Sequence, residues 1–145
     1  MDFMTALDIG ASGLTAQRAY MNVISMNMAN AQTTKTATGG PYIRKSVSFG
    51  SAPVMSPFDE RMNDAMNRDL VGVQVKGIVN DSRPFKQVYE PGHPDANAQG
   101  YVNYPDINVV EEMTNMITTM RSYEANVQSI ESVKTMFNKA LTIGR

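Results

Sequence analysis

The sequence predicts a mainly α chain with a small β region: an elongated, coiled-coil-like pair of long N- and C-terminal helices enclosing a central short-stranded β domain. Three observations carry this. Apolar residues recur at alternating steps of four and three at both ends of the 145-residue chain. The middle holds short β-branched and aromatic runs separated by Pro- and Gly-containing turns. Helices of the implied lengths, about 40 and 50 Å at 1.5 Å per residue, outrun a globule of this size, whose radius of gyration is about 15 Å. The expected division is an N-terminal axial helix over 1–34, a central β-rich region with loops over 35–105, and a C-terminal axial helix over 106–145.

In the first segment Phe3, Leu7, Gly10, Leu14, Gln17, Met21, Ile24 and Met28 hold the four-three rhythm. Gly10, Gly13 and Gln17 weaken it, each glycine costing roughly 1 kcal/mol relative to Ala. Such a helix needs packing to persist. The pattern stops after Asn30, and Thr33 to Pro41 reads as a polar loop.

The central region contains strand-like runs at 42–49, at 71–79 and at 85–89, enough for a small sheet of two or three strands. Residues 50–69 read as a loop, with a short helical turn over 59–68. Pro91 to Gly100 reads as a long turn leading to the second helix.

That helix is the cleaner of the two. Val109, Met113, Met116, Met120, Tyr123, Val127, Ile130, Phe137 and Leu141 repeat the spacing, interrupted by Lys134. Asn108 followed by Glu111 has capping-box spacing, Glu111 and Glu112 suit the positive end of the helix dipole, and Gly144 is placed to close the helix.

Composition excludes several functions. Thirteen basic against fourteen acidic residues leave a net charge of −1, which gives nucleic acid or an anionic membrane no electrostatic purchase. No apolar run reaches the ~18 residues of a membrane span, so direct membrane insertion is not expected. The absence of Cys removes disulfides, thiolate metal sites and a Cys nucleophile. No basic segment followed by an apolar core opens the chain, so a cleaved leader is not expected. On its own that would suggest a cytoplasmic resident.

The search for chemistry returns no catalytic, metal or cofactor site. His93, the single histidine, lies in a turn with no second His or Cys to join it. Asp95, Asn97, Gln99 and Asp106 have the stride of an EF-hand loop, but Gln99 and Asp106 are poor substitutes for the usual ligands, and an Asx-type turn explains the residues without calcium. Gly10-Ala11-Ser12-Gly13 sits inside a helical pattern and follows no strand, unlike a phosphate cradle. An enzyme is not expected.

The outward face of the second helix is more telling. Thr114, Asn115, Thr118, Thr119, Ser122, Ala125, Asn126, Gln128 and Ser129 occupy positions where a solvated helix usually carries Lys and Glu. Small neutral polar groups cost far less to desolvate than ions. Nine of twelve methionines lie in the two terminal segments, where an adaptable side chain can meet more than one kind of neighbour. Both helices are therefore expected to be surrounded by other subunits.

Ser12-Gly13-Leu14, Asn27-Met28-Ala29-Asn30 and Thr33 resemble the N-terminal signature of bacterial flagellar rod and hook proteins. Glu112-Met113, Arg121-Ser122-Tyr123-Glu124-Ala125-Asn126 and Leu141-Thr142-Ile143-Gly144 resemble the companion C-terminal motif. Val88 to Pro94 and Asn97 to Val102, with the short total length, are similar to the proximal rod members of that family.

The resemblance implies a structural subunit of the flagellar basal-body rod, exported uncleaved by the type III apparatus and assembled helically into a torque-transmitting shaft across the periplasm. Its implied partners are further copies, other rod subunits, the adaptor at the inner-membrane ring and the export apparatus. The expected assembly interface combines the seam residues Leu7, Leu14, Met21, Ile24, Met28, Met113, Met116, Met120, Tyr123, Val127, Ile130, Phe137 and Leu141 with the motif residues Asn27, Asn30 and Asn126. Leu14→Glu and Val127→Glu are expected to abolish assembly. A cytosolic coiled-coil adaptor uses the same heptads, but predicts a discrete dimer or tetramer and no filament.

Overall fold

The computed structural model describes residues 3–37, 39–53 and 71–143. The helical turn expected over 59–68 and the closing Gly144 lie outside them. Element order is α1 (Phe3–Ala29), β1 (Lys45–Pro53), β2 (Val71–Asn80), β3 (Lys86–Tyr89), β4 (Tyr101–Tyr104) and α2 (Val109–Ile143). Two long helices flanking a small antiparallel β region is the fold class the sequence predicts.

α1 stops at Ala29, short of residue 34, because Asn30 turns the chain. Its backbone N–H (3.1 Å) and its side-chain amide (2.8 Å) both donate to the Met26 carbonyl. Thr33 closes the turn by donating to the Asn30 carbonyl from its backbone and to Asn30 Oδ1 from its hydroxyl. α2 starts where Asn108 caps it, its Oδ1 accepting from the N–H groups of Val110 (3.0 Å) and Glu111 (3.4 Å). The Glu111 carboxylate points instead toward Arg83, 3.8 Å away.

The helices run antiparallel. Phe3 stacks on Phe137, Ile130 closes on Gly10, Asn126 closes on Gly13, and Asn27 meets Glu112. Each pair of residue numbers adds to 139 or 140, so one alignment holds along the whole contact. The glycines read as weak points are where the helices come closest. A Cβ on Gly10 would lie 2.7 Å from Ile130 Cγ1, and one on Gly13 would lie 3.0 Å from Asn126 Nδ2.

The β region forms two separate two-stranded antiparallel sheets, β1–β2 and β3–β4. β1 extends to Pro53, four residues into the stretch expected to be a loop. β4 follows the turn expected over Pro91 to Gly100, where no strand was expected, with Val102 facing Val88 across the second sheet. Lys76 is bulged out of the first sheet between the Ser48–Gly77 and Phe49–Val75 pairs, and its side chain lies over Gly50. The first sheet rests on α1. Ser12 Oγ accepts from the Val73 N–H at 3.1 Å, and Tyr20 meets Phe49 edge to face. α1 is thus covered by α2 on one side and by the sheet on another. Its Ala16, Val23, Ile24 and Asn27 are buried, whereas α2 buries only Glu112 and Thr119 among the described residues.

Candidate functional site

Two features of the molecule are candidate sites: a polar junction between the helices near Asn27 and Glu112, and the outer surface of α2.

The junction gathers four segments: Asn27 of α1, residues 42–45, residues 81–83 and Glu112 of α2. Asn27 and Glu112 are each 1% exposed. The Asn27 side-chain amide pairs with Lys45 as a strand partner would, donating to its carbonyl at 2.8 Å and accepting from its N–H at 2.9 Å. It also accepts from the Tyr42 hydroxyl (3.1 Å) and donates to Glu112 Oε2 (3.4 Å). Arg44 grips Glu112 Oε1 with Nε (2.9 Å) and Nη2 (2.6 Å), and reaches Asp81 with Nη1 (2.9 Å). Arg83 approaches the same Asp81 oxygen at 3.2 Å. Among the described residues no buried side-chain polar atom lacks a partner, so a charged group in the interior is tolerated here.

Electrostatics follow from this packing. Burial works to lower the Arg44 pKa, but the hydrogen bonds and negative charges of Glu112 and Asp81 outweigh it, and the pKa is raised above its ordinary value. The Tyr42 hydroxyl is raised above 10, by burial first and the nearby Glu112 charge second.

Of the sixteen residues expected at an assembly interface, two are buried within the subunit, ten are half-buried and four are exposed. Ile24 and Asn27 are buried, and Leu7, Leu14, Met21, Met28 and Asn30 are half-buried. On α2, Met116, Tyr123, Asn126, Val127 and Ile130 are half-buried, while Met113, Met120, Phe137 and Leu141 are exposed. The seam facing α1 runs through Glu112, Met116, Thr119, Tyr123, Asn126, Ile130, Val133 and Phe137, judged by burial and the contacts above. It shares every second position with the predicted stripe and shifts the others by one residue. Lys134 therefore does not interrupt it; Val133 fills that step and Lys134 is exposed.

The shift leaves a second apolar stripe outside. Val110 (71% exposed), Met113, Ile117 (52%) and Met120 follow one another at steps of three and four. Val109, Met136, Phe137, Leu141 and Ile143 are exposed as well. Beside them, the hydroxyls of Thr114, Thr118, Ser122, Ser129 and Ser132 each donate to the carbonyl four residues back, at 2.9–3.0 Å. Their donor capacity is met within the helix, so covering this surface would break no bond to water that those protons need.

The loop with the EF-hand stride uses its own oxygens. Asn97 Oδ1 accepts from the N–H groups of Gln99 and Tyr101, both at 2.9 Å, and Asp95 Oδ2 accepts from the Thr34 hydroxyl at 2.8 Å. Gly100 takes φ = 81°, which completes the Asx-type turn. His93 packs on Tyr104 and accepts the Asp95 N–H at Nδ1.

Comparison with known proteins matches these features. Residues 7–35 match the family described as "Flagella basal body rod protein", and residues 98–143 match "Flagellar basal body rod FlgEFG protein C-terminal". The chain is 40% identical to the flagellar basal-body rod protein FlgC of Borreliella burgdorferi, over 99% of this chain and 98% of that one. It is 42% identical to FlgC of Bacillus subtilis over 97% of both chains, and 39% identical to FlgC of Escherichia coli O6:H1 over the full length of both. The chain belongs to the FlgC family of flagellar basal-body rod proteins. It is a structural subunit of the basal-body rod. The matched N-terminal segment is most of α1 with its Asn30 turn, and the matched C-terminal segment holds β4 and all of α2.

The junction could not be read from the sequence. Arg44 lies in a strand-like run, and Glu111 and Glu112 look like two residues serving the helix dipole. The available signal was a charge in an otherwise apolar-periodic helix whose neighbours carry few charges.

Proposed function

We propose that this subunit assembles helically through its terminal helices into the rod, with the outward stripe of α2 packing against neighbouring subunits, and that it transmits torque without performing catalysis. The carrying observation is the α2 surface: Val110, Met113, Ile117 and Met120 exposed in one row, flanked by hydroxyls already bonded to their own backbone. A neighbour's helix gains about 25 cal/mol for each Å² of apolar surface it covers there and displaces no charge from the row. The β1–β2 sheet on the far side of α1 is then free to face outward.

Within this reading the partners are further copies, other rod subunits and the inner-membrane-ring adaptor. The chain reaches the periplasm uncleaved through the type III export apparatus, which accepts it unfolded.

The structure changes which substitution tests this. Leu14 and Val127 are half-buried within the subunit, so a Glu at either place disturbs folding as well as assembly. Ile117→Glu places its carboxylate in solvent in the free subunit and in an apolar contact after assembly. The expected result is a chain with unchanged thermal stability that fails to restore flagella or swimming in cells lacking the natural protein. Full motility with Ile117→Glu would remove the α2 stripe from the assembly surface. A discrete dimer or tetramer with no rod incorporation would favour an adaptor instead.

A further inference from the structure

We propose that the buried Asn27–Arg44–Glu112 junction is a register lock, selecting one alignment of α1 against α2 from a set that the apolar seam leaves open. The seam repeats every seven residues on both helices. Phe3, Gly10, Gln17 and Ile24 form one row of α1, and Leu7, Leu14, Met21 and Met28 form another. On α2, Met116, Tyr123, Ile130 and Phe137 are likewise seven apart. Sliding one helix by a heptad, about 10.5 Å, lays these rows back onto themselves, with Gln17 or Phe3 taking the place of Gly10 opposite Ile130. Apart from the close approaches at Gly10 and Gly13, such a repeat gives little reason to prefer one alignment.

The alternate row of α2 breaks the degeneracy. It consists of Glu112, Thr119, Asn126 and Val133, and only its first member carries a charge. In the observed alignment Glu112 receives two hydrogen bonds from Arg44 and one from Asn27. One heptad slide would bring Thr119 opposite Asn27, leaving Glu112 without Arg44. The opposite slide would bring up Pro105, which precedes the helix. Either one separates a buried carboxylate from the guanidinium that neutralises it. A single polar group in an apolar seam is a well-attested way to fix helix register.

The lock also carries the alignment outward. Asn27 holds Lys45, the first residue of β1, by both its N–H and its carbonyl, and Arg44 reaches Asp81, just past β2. Helix register and sheet placement are thereby set by the same side chains.

The chain contains no Cys, so introduced thiol pairs report alignment directly. Gly13→Cys with Asn126→Cys marks the observed register, since these positions touch. Gly13→Cys with Thr119→Cys, and Gly13→Cys with Val133→Cys, mark the two one-heptad slides. Each pair is placed in the full chain with the natural junction, and in a chain carrying Arg44→Met and Glu112→Leu together, which leaves neither charge of the pair behind. The monomeric disulfide is then quantified after brief oxidation. In the natural background only the Asn126 pair should close. In the substituted background closure of at least one slid pair should rise tenfold or more, with helical circular dichroism retained. Slid pairs that stay as slow as in the natural background would overturn the proposal. So would loss of helical signal in the doubly substituted chain, because the junction would then be needed for folding as such and not for choosing a register.

Discussion

α1 and α2 are similar in sequence style and opposite in surroundings. Both carry heptad-spaced apolar residues and many methionines. α1 lies between α2 and the β1–β2 sheet, and it buries Ala16, Val23, Ile24 and Asn27. α2 is longer, at 35 residues, yet it is covered along one side only and buries two polar residues. The difference teaches that heptad pattern alone does not say what a helix packs against. α1 is covered on two sides within the subunit, whereas α2 leaves an apolar stripe exposed.

The sharpest way to break this arrangement is at the point where the two helices share a charge. Glu112→Ala leaves Arg44 with Asp81 as its remaining carboxylate partner at the junction, and should lower unfolding free energy by about 3–5 kcal/mol, measured by urea denaturation. A loss below 1 kcal/mol would mean that water reaches the junction and that α2 starts outside the folded unit.

Matched truncations on the two helices come next. Ile24→Ala on α1 should cost about 2–5 kcal/mol, because Ile24 is 1% exposed. Ile117→Ala on α2 should change monomer stability by less than about 0.5 kcal/mol while weakening rod assembly. Equal costs for the two would erase the distinction drawn between the helices.

A smaller effect is expected where the helices touch most closely. Gly10→Ala adds a methyl 2.7 Å from Ile130 Cγ1. Overpacking costs about 1–3 kcal/mol, and better helix propensity returns up to about 1 kcal/mol. The net result should be a modest fall in melting temperature. A rise would show that α2 can move away from α1 at little cost.

The mildest probe is alkaline pH. Tyr42 has its pKa raised in the folded state, so the fold favours the neutral phenol. The associated stability is complete below the unfolded value near 10 and is lost as pH rises through the higher folded value. Tyr42→Phe should remove one late-ionising component from the tyrosinate absorbance titration and flatten the alkaline loss of stability. Tyr104, raised by its hydrogen bond to Glu90, should remain late in that variant.

How far these contrasts were legible varies by element. The α1 seam was legible because three or four apolar residues per two turns face a cover on two sides, and small errors of phase still fall on a buried position. The α2 seam was legible in period and not in phase. Two apolar stripes lie side by side on that helix, Met116–Tyr123–Ile130 inward and Val110–Met113–Ile117–Met120 outward. Hydrophobicity cannot rank them, because both are apolar at helical spacing. β4 was missed because Tyr101 to Tyr104 is only four residues long and follows a Gly-rich turn; its partner β3 supplies the reason it is a strand. The interface residues Asn27 and Asn30, named from the family motif, turn out to hold the chain's own turn and sheet, a role that needs contacts 18 residues away for Asn27.

By itself the sequence determined the periods, the start of the second helix, the family and the scarcity of charge on α1, since each of these is a local or compositional property. Only the tertiary structure decided which of two stripes on α2 faces α1, why Gly10 and Gly13 sit in a helix, and that Glu112 is a buried partner of Arg44. Those depend on what lies across a contact of a few ångströms from residues far away in the chain, and spacing along one helix carries no record of that.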